Sequence, residues 1–342
     1  MKNFLLREAP SATEPVTPSP DPDPVMPRNT SAPLTTSKGN TTVTAISALS
    51  VVLEQLESVL LGKRAQLELA VACLLARGHL LIEDVPGVGK TTLAQALGKS
   101  LGLPWTRVQF TSDLLPADVL GVSIFNNQTQ EFEFKPGPVF TSVLLADEIN
   151  RAPAKAQSAL LEAMEERQVS IDGITHDLPA DFFVIATQNP TDQLGAYPLP
   201  ESQLDRFLVG IEIGYPDTNS ERQLLEHGDR RSSIEALPAI ANPLQLKQWM
   251  QDCEVVTAAP TILDYVQALL LETRESGNGL SPRAGLSLVR LCRSFALLQG
   301  RTHVLPDDVR AVFPALAGHR LTGHVKSGRT AALDVLQRVP MP

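Results

Sequence analysis

From residue 43 onward the apolar positions recur at helical spacing: Leu49, Val52, Leu53, Leu56, Val59 and Leu60 return every three or four residues. That period predicts an amphipathic helix, and a second helical stretch follows at 65–76, after Gly62. The pattern then changes to short, continuously apolar runs at 79–83, 105–110, 142–147, 181–186 and 207–213, with helical segments between them. Runs of this kind predict strands of a parallel sheet covered on both faces. Two places break the alternation. Residues 119–125 and 130–135 flank a polar turn at Asn126-Asn127, and 169–171 and 174–176 flank Asp172-Gly173; both predict β-hairpins, and Asp-Gly between apolar alternations is the strongest short hairpin signal. Beyond about Pro216 the strands stop, and 220–228, 243–252, 260–276, 282–299 and 306–313 read as helices. The expected fold is α/β, with a parallel-sheet domain at 41–216 that carries hairpin insertions and a small all-α domain at 217–342.

Residues 1–40 contain eight prolines among Ser, Thr and Asp and show no hydrophobic period. They are expected to form a disordered, locally extended tail. The tail carries four acidic and four basic side chains, so the net charge of −9 belongs to the rest of the chain. An acidic body argues against bulk affinity for nucleic acid. The 342 residues are enough for two domains, at about 100–200 residues each. Cys73, Cys253 and Cys292 have no C-x-x-C spacing and read as buried free thiols, and the six histidines show no metal-ligand spacing. Met1–Arg7 does not resemble a signal peptide, and no apolar run approaches the roughly 20 residues of a membrane span. The expectation is a cytoplasmic protein without membrane insertion.

The chemistry concentrates at Asp84-Val-Pro-Gly-Val-Gly-Lys-Thr91, between the first strand and a helix at 92–99. Backbone N–H groups and a helix N-terminus converge there, a geometry that binds anions. Pro86, Gly87, Val88, Gly89, Lys90, Thr91 and Thr92 form the expected phosphate cradle, with ATP as its ligand. Lys90 reaches the β- and γ-phosphates, and the Thr91 hydroxyl ligates Mg²⁺. Asp84 stands where this pattern normally has its first glycine. It would lie near phosphate unless its side chain turns away. The strand at 142–147 ends in Asp147-Glu148, which fits a Walker-B pair: Asp147 in the Mg²⁺ shell and Glu148 as general base toward water. Asn189 closes another apolar run and is placed to orient that water.

In their order along the chain, these motifs resemble AAA+ ATPases. The stretches Ile82-Glu-Asp-Val-Pro-Gly-Val-Gly-Lys-Thr91, Gly137-Pro-Val-Phe140, Asp147-Glu-Ile-Asn-Arg-Ala152 and Leu199-Pro-Glu-Ser-Gln-Leu-Asp-Arg-Phe207 resemble the MoxR family more narrowly. The resemblance covers roughly residues 45–335, and this family often carries Asp at the position of Asp84. It implies an AAA+ core followed by a helical lid, ATP bound between the two, and a homo-oligomeric, hexameric ring. It implies Arg206 as an arginine finger reaching a neighbour's ATP, and Arg283, in Ser281-Pro282-Arg283, as a sensor-2 group on the γ-phosphate. Arg151 is a further candidate for action across the subunit interface, and Leu61-Gly62 match the segment that wraps adenine. The implied activity is ATP hydrolysis coupled to remodelling or maturation of protein clients, with a von Willebrand factor A domain protein as partner. The hairpins are the expected client-facing elements. Two other classes share the fold: a nucleic-acid or metal-chelation motor, and a nucleotide switch without hydrolysis. The hairpins carry few basic residues, against the first, and Glu148 and Arg206 are both present, against the second.

Overall fold

The computed structural model describes residues 38–189, 197–227, 231–277 and 279–342. The Pro-rich tail lies outside these residues, apart from 38–40, which already belong to a helix. Two helices come first, α1 (Lys38–Val59) and α2 (Arg64–Leu75). The α/β part follows as β1 (Leu80–Glu83), α3 (Lys90–Ser100), β2 (Trp105–Gln109), α4 (Pro116–Leu120), β3 (Gly121–Asn126), β4 (Glu131–Pro136), β5 (Val143–Asp147), α5 (Ala154–Glu166), β6 (Gln168–Ile171), β7 (Ile174–Asp177), β8 (Phe183–Gln188), α6 (Glu201–Leu204) and β9 (Val209–Ile211). Thereafter the described elements are helical: α7 (Thr218–His227), α8 (Arg231–Glu235), α9 (Pro243–Glu254), α10 (Pro260–Glu275), α11 (Pro282–Leu298), α12 (Pro306–Thr322) and α13 (Val325–Arg338).

Five strands form one parallel sheet in the order β2-β5-β8-β1-β9. Its central strands are apolar up to their carboxyl ends, where Glu83, Asp147, Thr187 and Gln188 stand, because helices cover both faces. Side chains alternate across them: Leu80, Ile82, Val143, Leu145, Phe183 and Ile185 face one core, and Leu81, Leu144, Ala146, Val184 and Ala186 face the other. The first core runs on without a break into the C-terminal helices, through Leu246, Leu288, Leu291, Leu316 and Leu336. Strand β2 lies at an edge and exposes Arg107 and Gln109, charged and polar positions that an edge tolerates.

Both expected hairpins are present, as β3–β4 and β6–β7. The second turns at Asp172 (φ 51°) and Gly173 (φ 78°), two successive left-handed residues as this turn chemistry requires. The last helices differ from the sequence expectation. Pro314 sits inside α12 rather than ending it, since the buried residues around it, Val312, Phe313, Leu316 and Ala317, hold the helix against the core. The chain then continues through α13, beyond the helices that the hydrophobic spacing predicts. At the α12–α13 crossing Gly318 and Gly328 meet backbone to backbone: a Cβ built on Gly328 would lie 1.8 Å from the Gly318 carbonyl oxygen.

Candidate active site

Strand β1 delivers the chain to the phosphate loop at the carboxyl edge of the sheet, and α3 begins at Lys90. Gly87 (φ 85°) and Gly89 (φ 101°) take the left-handed conformations that let the loop curl over the helix N-terminus. Lys90 Nζ donates to the Asp84 carbonyl oxygen at 2.5 Å and lies 3.4 Å from that of Gln188. Burial lowers the Lys90 pKa, while the negative charges of Asp84, Asp147 and Glu148 act against that shift. The Asp84 carboxylate does not face the loop's interior. Its Oδ1 accepts from Val85 N at 2.8 Å, and its Oδ2 accepts from Ile213 N at 2.7 Å and Gly214 N at 2.6 Å.

Next to the loop, β5 ends in Asp147 and the chain turns at Glu148, whose φ of 56° is uncommon for a residue with a side chain. Thr187, on the neighbouring strand β8, fixes both acids: its Oγ1 donates to Asp147 Oδ1 at 2.6 Å and accepts from Glu148 N at 2.9 Å. Glu148 Oε2 also accepts from Gln109 Nε2 at 2.9 Å and from Arg151 Nε at 3.0 Å. Arg107 donates to Asp147 Oδ2 at 2.6 Å. Arg107 and Gln109 were not singled out in the sequence. The parallel β2–β5 register, with Gln109 opposite Asp147, brings them to the acids; polar residues on alternate positions of a strand were the available signal.

These groups surround one cavity of about 520 Å³, a size suited to a nucleotide. Of the expected ligand-binding residues, Pro86, Gly87, Gly89, Lys90, Thr91, Thr92, Asp147, Glu148 and Asn189 line it. Gln95, Arg107, Gln109 and Ile234 complete the lining. Val88 packs against the first core instead. Leu61 and Gly62 are not in the lining either; the preceding Leu60 reaches the loop, with its Cδ2 3.6 Å from where a Cβ on Gly89 would be. The Thr91 hydroxyl and the Asp147 carboxylate are hard oxygen donors, which fit Mg²⁺ carried in with a nucleotide. Among the described residues, no group of three or more His, Cys, Asp and Glu side chains is arranged to hold a metal without such a ligand. The three cysteines are free and buried.

Arg206 and Arg283 lie elsewhere. The family resemblance implies Arg283 on the γ-phosphate; in the fold it lines a second cavity, of about 210 Å³, together with Arg206. One carboxylate holds both. Arg206 pairs with Glu165 Oε2 at 3.1 Å and Arg283 with Glu165 Oε1 at 2.7 Å, and the hydrogen bond to Glu165, helped by its charge, raises the Arg283 pKa. Arg206 also donates to the Leu161 carbonyl. The physical reason is the path of the helical part: α11 docks Arg283 against the end of α5, not over the phosphate loop. Asp205 pairs with Arg320 of α12 at 2.7 Å rather than with Arg206, and Arg320 also donates to the Phe207 carbonyl at 2.7 Å, which fixes the segment that presents Arg206.

The hairpins present apolar side chains outward. Phe125 and Phe132 stack edge to face with ring centroids 5.3 Å apart, and Phe132 is 74% exposed. Phe134 stacks on His176 at 4.0 Å and so joins the first hairpin to the second.

A phosphate loop after the first strand, an acidic pair at the tip of a neighbouring strand and a helical C-terminal region define an ATPase of the AAA class. Residues 79–209 match the family model described as ATPase family associated with various cellular activities (AAA), and residues 271–338 match the AAA lid domain. The chain is 45% identical to the protein YeaC of Bacillus subtilis over 279 residues, which covers 81% of this chain and 87% of YeaC. It is 40% identical to Chaperone MoxR1 of Mycobacterium tuberculosis over 280 residues, 78% of this chain and 74% of that protein. A crystal structure from Cytophaga hutchinsonii, 33% identical in sequence, superposes with a TM-score of 0.78 over 89% of this chain and 98% of the other. The chain belongs to the MoxR family of AAA+ ATPases.

Proposed function

We propose that this protein hydrolyses ATP in a homo-oligomeric, hexameric ring and couples that reaction to the remodelling or maturation of protein clients. The observation that carries this reading is the convergence of Lys90, Thr91, Asp147, Glu148 and Asn189 on one nucleotide-sized cavity. The proposed division of labour follows the fold, with a nucleotide-binding domain at 41–216 and a lid at 217–342. Thr91 and Asp147 would hold Mg²⁺, which would supply charge neutralisation at the phosphates. Lys90 leaves the Asp84 carbonyl to bind phosphate oxygens. Glu148 accepts a proton from the attacking water, and Asn189 orients that water toward the phosphorus. Gln109 and Arg151 hold the Glu148 carboxylate in place.

Arg206 and Arg283 enter this proposal as a pair that completes the site of the neighbouring subunit. Their common anchor on Glu165, away from the cavity of their own chain, supports a shared destination. A guanidinium stabilises the charge of the transferring phosphoryl group, the chemistry such a pair would add. The exposed aromatic tip at Phe125 and Phe132 supports a role of the first hairpin in holding clients. A von Willebrand factor A domain protein is the proposed partner, and the cytoplasm the proposed place of work. No helix among the described residues is long and apolar enough to cross a membrane.

The test is Glu148→Gln in the full-length protein. The variant is expected to bind ATP, lose hydrolysis, and retain clients that co-purify in an ATP-dependent manner. Hydrolysis at the wild-type rate would remove Glu148 from the mechanism. Recovery of nucleic acid instead of protein would favour a nucleic-acid motor.

A further inference from the structure

Asp84 is a buried carboxylate, 7% exposed, at the position where phosphate loops ordinarily place glycine. Burying such a charge is costly unless hydrogen bonds surround it. Three backbone N–H groups do so here, and two of them belong to Ile213 and Gly214. These residues follow β9 and precede α7, so they lie in the segment by which the chain leaves the sheet for the C-terminal helices. Gly214 is left-handed there, with φ 67°.

The same segment is gripped from the other flank of the phosphate loop. Lys63 Nζ donates to the Tyr215 carbonyl at 2.7 Å, and Gly62 packs so tightly that a Cβ on it would come within 2.5 Å of Asp217 Oδ2. Asp217 in turn caps the entry to α7, accepting from Ser220 N at 2.9 Å and Asn219 N at 3.0 Å. Meanwhile the main-chain oxygen of Asp84 accepts from Lys90, the amine that reaches for phosphate. One residue thus touches the phosphate-binding lysine through its carbonyl and the exit segment through its carboxylate.

We propose that Asp84 is a positioning residue that transmits the occupancy of the phosphate loop to residues 213–217. The proposal rests on the reading that this loop binds ATP. When Lys90 turns to phosphate it releases the Asp84 carbonyl. The resulting adjustment of the Asp84 peptide is passed by its side chain to the Ile213 and Gly214 amides. Glycine at this position would bind phosphate equally well and pass on nothing.

Hydrogen exchange of the full-length protein, with and without saturating adenylyl imidodiphosphate, tests this, together with steady-state ATP hydrolysis. In the wild type, nucleotide is expected to slow exchange both in the phosphate loop and in peptides covering 210–217. Asp84→Gly should keep the phosphate-loop response, with nucleotide affinity within about threefold, lose the response at 210–217, and lower kcat about tenfold at nearly constant KM. Asp84→Asn, whose amide oxygen still accepts from Ile213 and Gly214, should recover most of both effects; it also serves as the informative variant if Asp84→Gly fails to fold. A response at 210–217 that persists in Asp84→Gly, or a wild-type kcat, overturns the proposal. Absence of any wild-type response in the phosphate loop overturns the ATP reading itself, and the proposal with it.

Discussion

Arg206 lies 3.1 Å from Glu165, on the end of α5 and outside the cavity that holds Lys90. Its side chain is 29% exposed and is partly ordered by its own chain. Such pre-orientation lowers the entropy lost when a long cation engages phosphate.

Arg206→Ala is therefore expected to bind ATP normally and to lose turnover by about 10³-fold, the lower end of what an arginine finger contributes. Mixing it with Glu148→Gln subunits should restore part of the activity, because an intact Arg206 would then face an intact Glu148 wherever a Glu148→Gln subunit presents its arginine to an Arg206→Ala subunit. Rings of normal size that show no restoration would return Arg206 to a structural role.

Glu165→Gln keeps the shape of the α5 terminus and removes the charge shared by Arg206 and Arg283. Turnover is expected to fall about tenfold while ATP affinity stays unchanged, as measured by steady-state kinetics and nucleotide titration. A change in affinity at constant kcat would contradict the assignment.

His79 is enclosed: Nδ1 accepts from Val184 N at 3.0 Å and Nε2 faces the Met164 carbonyl at 3.2 Å. Burial, with help from Arg167, lowers its pKa from 6.5 to about 3. The unfolded chain therefore binds a proton between these values that the folded chain refuses. The corresponding stability is complete above about pH 6.5 and is lost as pH falls toward 3, by up to about 1.4 kcal/mol per pH unit. Urea midpoints of the wild type and His79→Gln, taken across this window, should converge as pH falls. Parallel curves would show that His79 is not the group responsible.

Gly328→Ala places a methyl group against the Gly318 carbonyl. The crossing of α12 and α13 must open, at a cost of about 1–3 kcal/mol. A lowered thermal midpoint checks this; an unchanged one would mean that the crossing yields without penalty.

Phe132→Ser uncovers only the edge of the Phe125 ring that it touches, since the Phe132 ring is already largely in solvent. Basal ATP hydrolysis and thermal stability should be unaffected, and the amount of client recovered with the Glu148→Gln variant should fall severalfold when both changes are combined. Equal recovery would move client binding away from the hairpin tip.

Much of the fold was legible because its sheet is covered on both faces, so that β1, β5 and β8 appear as uninterrupted apolar runs between helices. The phosphate loop and Asp147-Glu148 were legible for a related reason: their chemistry depends on neighbours in the chain. Arg107 and Gln109 were not, because their meeting with Asp147 and Glu148 depends on strand register across a distant pairing. The position of Arg283 was not, because a motif names a side chain without saying where its helix docks. Pro314 misled for a local reason, as the packing of Phe313 and Leu316 outweighs the missing hydrogen bond.

The apolar core that Leu80 and Ile82 share with α1, α2 and α3 also takes in Leu316 of α12 and Leu336 of α13. During synthesis α1 to α3 emerge together with the sheet, but the lining supplied by α12 and α13 emerges well after β9, so the nascent chain carries a partly uncovered core over that interval. Apolar surface left open in this way is an aggregation hazard while the protein is being made.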